Sequence, residues 1–153
     1  MDLAITTKVF SPGGTIPKTY TCDEADASPE LAWSGAPAGV QSFALIADDP
    51  DAPAGTWTHW LIWNIPPQST GFEKGVPKNE TLGDGARQGR NDFRRIGYGG
   101  PCPPAGKPHR YFFKLYALDR KLDLKAGASR KELEQSMQGH VLAQAELMGK
   151  YGR

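Results

Sequence analysis

Long apolar runs are missing from this sequence of 153 residues. No stretch approaches the roughly 20 apolar residues that span a bilayer, so we expect no stable insertion into a membrane. The first ten residues, MDLAITTKVF, also lack the basic start and the apolar stretch of a secretory signal. These absences favour a cytoplasmic protein.

Cysteine is scarce, since Cys22 and Cys102 are the two in the chain. They do not form the CxxC spacing that is typical of zinc and redox sites. We therefore expect two free thiols in a reducing compartment. A disulfide bond between Cys22 and Cys102 is the alternative that the sequence leaves open.

An excess of charge of either sign is also absent. Lysine and arginine total 18 against 17 aspartate and glutamate residues, which gives a net charge of +1. This balance gives no electrostatic reason to expect nucleic acid or an anionic membrane as the main partner. The length matches one ordinary domain spanning residues 1–153.

Short β-strand signals are what the sequence contains in abundance. The chain has 18 glycines and 13 prolines, which fit many short strands joined by turns. Residues 66–106 are rich in turn formers, and we expect long loops there with little regular structure. The predicted strands cover residues 3–10, 15–20, 30–34, 42–48, 58–65 and 110–119.

Alternation along three of these strands assigns side chains to faces. His109 shares a face with Tyr111, His59 shares a face with Trp57, and Asp49 ends a third apolar face. Strict alternation adds Phe113 and Leu115 to the face of His109, and Leu61 and Trp63 to the face of His59. The face that Asp49 ends contains Phe43, Leu45 and Ala47. Both faces of these strands are apolar enough for central strands that are buried on both sides.

The C-terminal part of the chain has a different pattern. Ser129 and Glu132 form a capping-box signal, and Leu133 with Met137 gives the apolar pair of a short helix that ends at Gly139. Residues 141–148 favour helix by composition, although their alternation also permits a closing strand.

Three polar residues, Asp49, His59 and His109, stand at the ends of apolar strands. One histidine in such a place is more often a satisfied core residue than a ligand, but two on matching faces beside an acidic turn favour a pocket. An imidazole can donate to an anionic oxygen while a carboxylate orients its other nitrogen. The Gly-Pro-rich loop 97–109 is either a rigid surface loop or a small nest of backbone amides for an anion.

Other chemistries have weaker signals. The three residues are a possible metal face, but HExxH and CxxC patterns are absent. A hydrolase needs an activated nucleophile, and no GxSxG elbow occurs. Cys102 near His109 is conceivable as a nucleophile, although it lies in a proline-rich loop.

Four segments of the chain resemble the phosphatidylethanolamine-binding proteins, the family that includes the Raf kinase inhibitor proteins, in its bacterial and archaeal branch. They are YTCDEADASPELAWSGAP, DDPDAPAGTWTHWLIWNIPP, GPCPPAGKPHRYFFKLYALD and AELMGKYGR. The resemblance implies a mainly β fold, a β-sandwich with a large central antiparallel sheet, a smaller second sheet and a few short helices. It also implies a strand at residues 141–148, which we adopt as the prediction.

The resemblance further implies a small anion pocket at one end of the strands. The implied ligand-binding residues are Asp49, His59, His109 and Tyr111, with Pro103 as a wall and Trp57 at the rim. Thr58 stands where eukaryotic members often carry a further histidine, which implies a less positive pocket in this chain.

The favoured function is non-enzymatic binding of a small anion, namely phosphate, a phosphorylated headgroup or a carboxylate, without a cofactor or a resident metal. One alternative is an interaction module that inhibits a kinase or a protease, as eukaryotic members of the family suggest. Another is a phosphoester hydrolase or a metal site built from the same cluster. The apolar C-terminal segment also suggests a homodimer.

Overall fold

In a computed structural model that describes residues 2–153, the chain forms two antiparallel sheets. The strands are β1 (Ala4–Thr6), β2 (Leu31–Ser34), β3 (Ser42–Asp49), β4 (Trp57–Ile65), β5 (Gly71–Phe72), β6 (Arg87–Gln88), β7 (His109–Leu118) and β8 (Val141–Tyr151). The small sheet has the order β1-β2-β5, and the large sheet has the order β6-β4-β3-β7-β8. The mainly β fold with one large and one smaller sheet is therefore confirmed.

Each face of the large sheet buries its own core. The first core lies between the two sheets and joins side chains of both, while the second lies on the other face, beneath helix α1 (Arg130–Met137). Residues of the first core include Ile5, Trp33, Phe43, Leu45, Trp60, Ile62, Phe113 and Leu115. Residues of the second core include Ala44, Ile46, Leu61, Trp63, Leu122, Leu133 and Met137. Burial on both faces explains why β3 and β4 are apolar along most of their length.

The N-terminal strand predictions are partly wrong. The predicted strand 3–10 is regular over Ala4–Thr6 alone, and the predicted strand 15–20 is replaced by a 3-10 helix at Lys18–Tyr20. Thr15 keeps a single bridge to Lys150. Pro17 precedes the helix with φ −62° and has no N–H to donate to a neighbouring strand, which explains the loss of extended pairing.

The C-terminal predictions are confirmed. Ser129 caps α1 through the full capping box with Glu132, and Gly139 leaves the helix with φ +83°. Residues 141–148 lie in β8, which pairs with β7, so tertiary pairing overrides the helical preference of their composition. Val141 and Leu142 at its start are exposed, and the homodimer stays a prediction.

The free-thiol prediction is wrong, because Cys22 and Cys102 form a disulfide bond. The backbone already brings these residues together: the N–H of Cys22 donates to the carbonyl of Pro101 at 3.1 Å. Spacing in the sequence carries no information on this approach. The cytoplasmic location stays a prediction without the support of free thiols, since disulfides persist in oxidising compartments and in the cytosol of some hyperthermophiles.

Among residues 2–153, no helix has the length and the apolar character needed to cross a bilayer.

Candidate functional site

Three strand ends meet at one edge of the large sheet. Because β3 is antiparallel to both β4 and β7, its last residue lies beside the first residues of its two neighbours. Asp49 ends β3 and pairs with Trp57, the first residue of β4, while His109 is the first residue of β7. The topology therefore gathers residues that are up to 60 positions apart in the sequence.

A β-bulge in β4 decides where His59 lies. Asp48 pairs with Thr58 and Ala47 pairs with Trp60, so His59 is the extra residue between two ladder pairs. Beyond the bulge the alternation is shifted by one. The prediction that Leu61 and Trp63 share a face with His59 is therefore wrong: both pack in the second core, beneath α1, whereas His59 contacts Tyr111 on the pocket side.

Asp49 is nearly fully buried, and both of its carboxylate oxygens are engaged by the protein. Oδ1 accepts from the backbone N–H of Asp51 at 2.8 Å, and Oδ2 lies 2.7 Å from His109 Nδ1. A carboxylate accepts, so Nδ1 of His109 donates to it. This contact fixes the imidazole and leaves Nε2 available to the pocket.

The turn after β3 is tied to β7 by a bidentate ion pair. Asp51 accepts from the backbone N–H and the Nε of Arg110 at 2.9 Å each, and from its Nη2 at 2.9 Å. These hydrogen bonds lower the pKa of Asp51 to about 2. The pair holds the turn that carries Ala52 and Pro53 against the strand that carries His109.

His59 is buried and forms two hydrogen bonds with Gly99. Its Nδ1 lies 2.6 Å from the Gly99 carbonyl oxygen, and its own carbonyl accepts from the Gly99 N–H at 2.9 Å. The ring meets Phe93 and Tyr111 in edge-to-face contacts, each with centroids 5.3 Å apart. Burial lowers the pKa of His59, and the Gly99 carbonyl and the Asp49 charge oppose this with smaller effect.

Two hydrogen-bond donors at the site are buried without a partner. Within the described range 2–153, nothing pairs with the indole N–H of Trp57 or the hydroxyl of Tyr111. Burial raises the pKa of the Tyr111 phenol far above its usual value, and the nearby Asp49 charge adds to this, so the phenol keeps its proton. An unsatisfied buried donor costs about 1–3 kcal/mol.

These side chains line one pocket of about 200 Å³. The structure brings all six residues of the predicted site to it: Asp49, Trp57, His59, Pro103, His109 and Tyr111. Sequence reasoning missed the further lining residues Ala52, Pro53, Phe93 and Pro104, and it named Cys102 only as a conceivable nucleophile. The volume lies below the roughly 300–1,000 Å³ of pockets that hold drug-sized ligands, so the pocket fits a small ligand or one end of a larger one.

Phe93 is the most informative of the missed residues. It packs edge-on against Trp57 with centroids 5.5 Å apart, on a turn built around the buried Asn91. Oδ1 of Asn91 accepts from the N–H of Phe93 at 2.9 Å and from that of Arg95 at 3.2 Å. A single aromatic residue within the charged segment RNDFRR was the available signal in the sequence.

For loop 97–109, where a rigid surface loop and an amide nest were the two alternatives, the structure does not offer the amides of Gly99 and Gly100 to an anion. The N–H of Gly99 donates to the His59 carbonyl, and that of Gly100 donates to Asp26 Oδ1 at 2.8 Å. Pro101, Pro103 and Pro104 have no N–H to offer. The loop instead acts as a wall, which the disulfide at Cys102 joins to the N-terminal segment.

Thr58 does not face the pocket. Its hydroxyl accepts from Arg130 Nη1 at 3.2 Å, and the same guanidinium lies 2.9 Å from Asp48 Oδ2 on the α1 side of the sheet. Lys114 reaches the same carboxylate oxygen at 3.0 Å. The charge of the pocket is therefore set by His59, His109 and Asp49 rather than by position 58.

In the described part of the chain, no group of three or more His, Cys, Asp or Glu side chains is placed to hold a metal ion. Asp49 and His109 are paired with each other, and Nδ1 of His59 is used by Gly99.

Comparisons with known proteins show the family and the fold of the chain. The family model for phosphatidylethanolamine-binding proteins matches residues 6–152. A UPF0098 protein of Methanothermobacter thermautotrophicus is 55% identical over 147 residues, covering 96% of this chain and 97% of the relative. A crystal structure of a phosphatidylethanolamine-binding protein homologue from Chlamydia trachomatis is 38% identical with a TM-score of 0.91, covering 99% and 98% of the two chains. The crystal structure of Escherichia coli YbcL, a member of the mammalian phosphatidylethanolamine-binding protein family, is 34% identical with a TM-score of 0.92, covering 100% of this chain and 99% of YbcL.

Proposed function

Because the chain belongs to the phosphatidylethanolamine-binding protein family, we propose that it binds a small oxyanion in the pocket lined by His59, His109 and Tyr111. The observation that carries the proposal is the pair of buried donors, Trp57 N–H and Tyr111 O–H, which form no hydrogen bond within residues 2–153. An oxyanion supplies several acceptors in a small volume, as these donors require.

Asp49 serves this function indirectly. Its two oxygens are engaged by Asp51 and His109, so it positions the imidazole rather than contacting the ligand. When His109 is protonated, Asp49 balances the charge on the Nδ1 side while Nε2–H donates to the anion.

The proposal is tested by titrating inorganic phosphate and O-phosphoethanolamine into isotope-labelled protein near pH 6 and following amide shifts around the pocket. We expect saturable shifts at residues 57–59, 99 and 109–111. Tyr111→Phe removes one donor and should weaken binding about 3- to 10-fold, the usual worth of one hydrogen bond. His109→Ala should weaken it further.

The matched control is His140→Ala. His140 forms the same kind of pair with Asp119, at 2.8 Å, but this pair is exposed and lies outside the pocket. Its loss should leave the affinity unchanged. Absence of binding by both anions between about pH 5.5 and pH 8, or undiminished binding by His109→Ala, contradicts the proposal.

The structure conflicts with one alternative function and does not test another. A hydrolase that uses Cys102 as its nucleophile conflicts with the disulfide bond. Inhibition of a kinase or a protease stays a prediction.

A further inference from the structure

The hydrogen bond between His59 and Gly99 fixes which ring nitrogen carries the proton. A carbonyl oxygen can only accept, and it lies 2.6 Å from Nδ1, so Nδ1 is the protonated nitrogen. In a neutral ring the other nitrogen, Nε2, then carries a lone pair and acts as an acceptor. Nε2 of His59 therefore accepts a hydrogen bond from a ligand, whereas Trp57 and Tyr111 donate one to it.

The surroundings of His59 keep the ring neutral. It is buried between the rings of Phe93 and Tyr111, both uncharged. The carboxylates of Asp49 and Asp26 favour its protonation, but burial outweighs them and lowers the pKa of His59. Asp49 is, in addition, paired directly with His109.

The pocket thus presents a mixed set of hydrogen-bonding groups. Trp57 and Tyr111 offer donors that form no hydrogen bond in the part of the chain that the structure describes. His59 offers the acceptor Nε2, since Nδ1 is the nitrogen that binds the Gly99 carbonyl. A complementary ligand needs acceptor oxygens for the first two and one donor for the third.

We infer that the pocket selects an oxyanion that retains a proton, namely hydrogen phosphate or a phosphomonoester as its monoanion, whose P–OH donates to Nε2 of His59. This inference rests on the proposed function and narrows it. A sulfate or a phosphodiester carries no such proton near neutral pH, so one of its oxygens meets the lone pair of Nε2. Sites built to pair with a ligand hydroxyl reject analogues that lack it by large factors.

Two matched pairs of ligands test this selectivity. The first pair is inorganic phosphate and sulfate, and the second is O-phosphoethanolamine and glycerophosphoethanolamine, a monoester and a diester of the same amine. Titrations near pH 6, where a phosphomonoester is about half protonated, should show roughly tenfold or tighter binding of phosphate and of the monoester. Comparison across the pairs separates recognition of the bare ion from recognition of the ester.

The outcomes separate the inference from the proposed function. Equal affinity for sulfate and phosphate overturns the inference and leaves anion binding intact, whereas no binding by any of the four overturns both. Nitrogen chemical shifts of the His59 ring give a second readout that needs no ligand. A protonated Nδ1 with a bare Nε2 near pH 6.5 is expected, and a proton on Nε2 in the free protein overturns the inference.

Discussion

The burial of His59 links the stability of the fold to pH. The unfolded chain binds a proton at this residue near pH 6.5, whereas the folded chain binds it only at lower pH, because burial lowers the pKa. The contribution to stability is therefore complete above about pH 6.5 and is lost as the pH falls through the lowered folded value.

As the pH falls from about 7.5 to 5, the free energy of unfolding of His59→Asn should decrease less than that of the wild type, as measured by urea unfolding. The asparagine amide can still donate to the Gly99 carbonyl, but it does not titrate. His140→Asn is the control for the removal of an imidazole elsewhere, since His140 is partly exposed and lies outside the pocket. Identical losses for His59→Asn and the wild type would contradict the assignment.

Single residues differ in how far the sequence reveals them. His59, His109 and Tyr111 stand in motifs that point to a pocket, and the structure brings them together. The proton position on His59 depends on Gly99, which lies 40 residues away, and Phe93 belongs to no motif. Such tertiary contacts leave no local pattern in a sequence.

At the scale of elements, the bulge in β4 allows one strand to place His59 in the pocket and also to bury Leu61 and Trp63 beneath α1. Without the extra residue, strict alternation would place His59 on the same face as Leu61 and Trp63, which pack beneath α1. A residue inserted between the pairs at Thr58 and Trp60 turns the first part of β4 toward the pocket and keeps the second part in register. Alternation predicted the strand but not the shift, because a bulge is invisible to a two-residue period.

The ion pair between Asp51 and Arg110 joins the β3–β4 turn to β7, and its contribution should depend on pH. The pKa of Asp51 is lowered from 3.8 to about 2, so the pair stabilises the fold above about pH 4 and loses this effect as the pH falls toward 2. Because both side chains are partly exposed, Asp51→Asn should cost at most about 1 kcal/mol at neutral pH.

Urea unfolding of the wild type and Asp51→Asn at several pH values measures this contribution. The difference between the two should shrink between about pH 5 and pH 2.5. Arg110→Gln provides the partner variant, and the double variant should cost little more than either single change. A difference that is constant with pH would show that the pair does not titrate as described.

For the whole molecule, the disulfide between Cys22 and Cys102 is the main covalent constraint. It joins residues 80 positions apart, and loop-closure entropy for that length gives about 4.5 kcal/mol as the ideal stabilisation. We expect the double variant Cys22→Ser with Cys102→Ser to be less stable by about 2–4 kcal/mol in urea unfolding, since native disulfides usually contribute less than the ideal.

Reduction of the wild type supplies the control for this change. Dithiothreitol should lower the stability of the wild type to that of the double variant and should leave the double variant unaffected. If the unreduced wild type reacts with iodoacetamide at both cysteines, the bond is absent and the expectation fails.

The fold as a whole was more predictable than its covalent state. The apolar strands β3, β4 and β7 follow from their composition and length, and the family motifs correctly override the helical preference of residues 141–148. The pairing of Cys22 with Cys102 could not be read from spacing, because it depends on how loop 97–109 packs against the N-terminal segment.

The disulfide also gives the chain the form of a closed ring with two tails. Strands β2 to β6 lie within the ring of residues 22–102, whereas β7 and β8 lie in the C-terminal tail. The pairing of β3 with β7 is therefore the seam along which the tail docks on the ring. Asp49 and His59 come from the ring and His109 and Tyr111 from the tail, so the pocket comes into existence only when that seam closes.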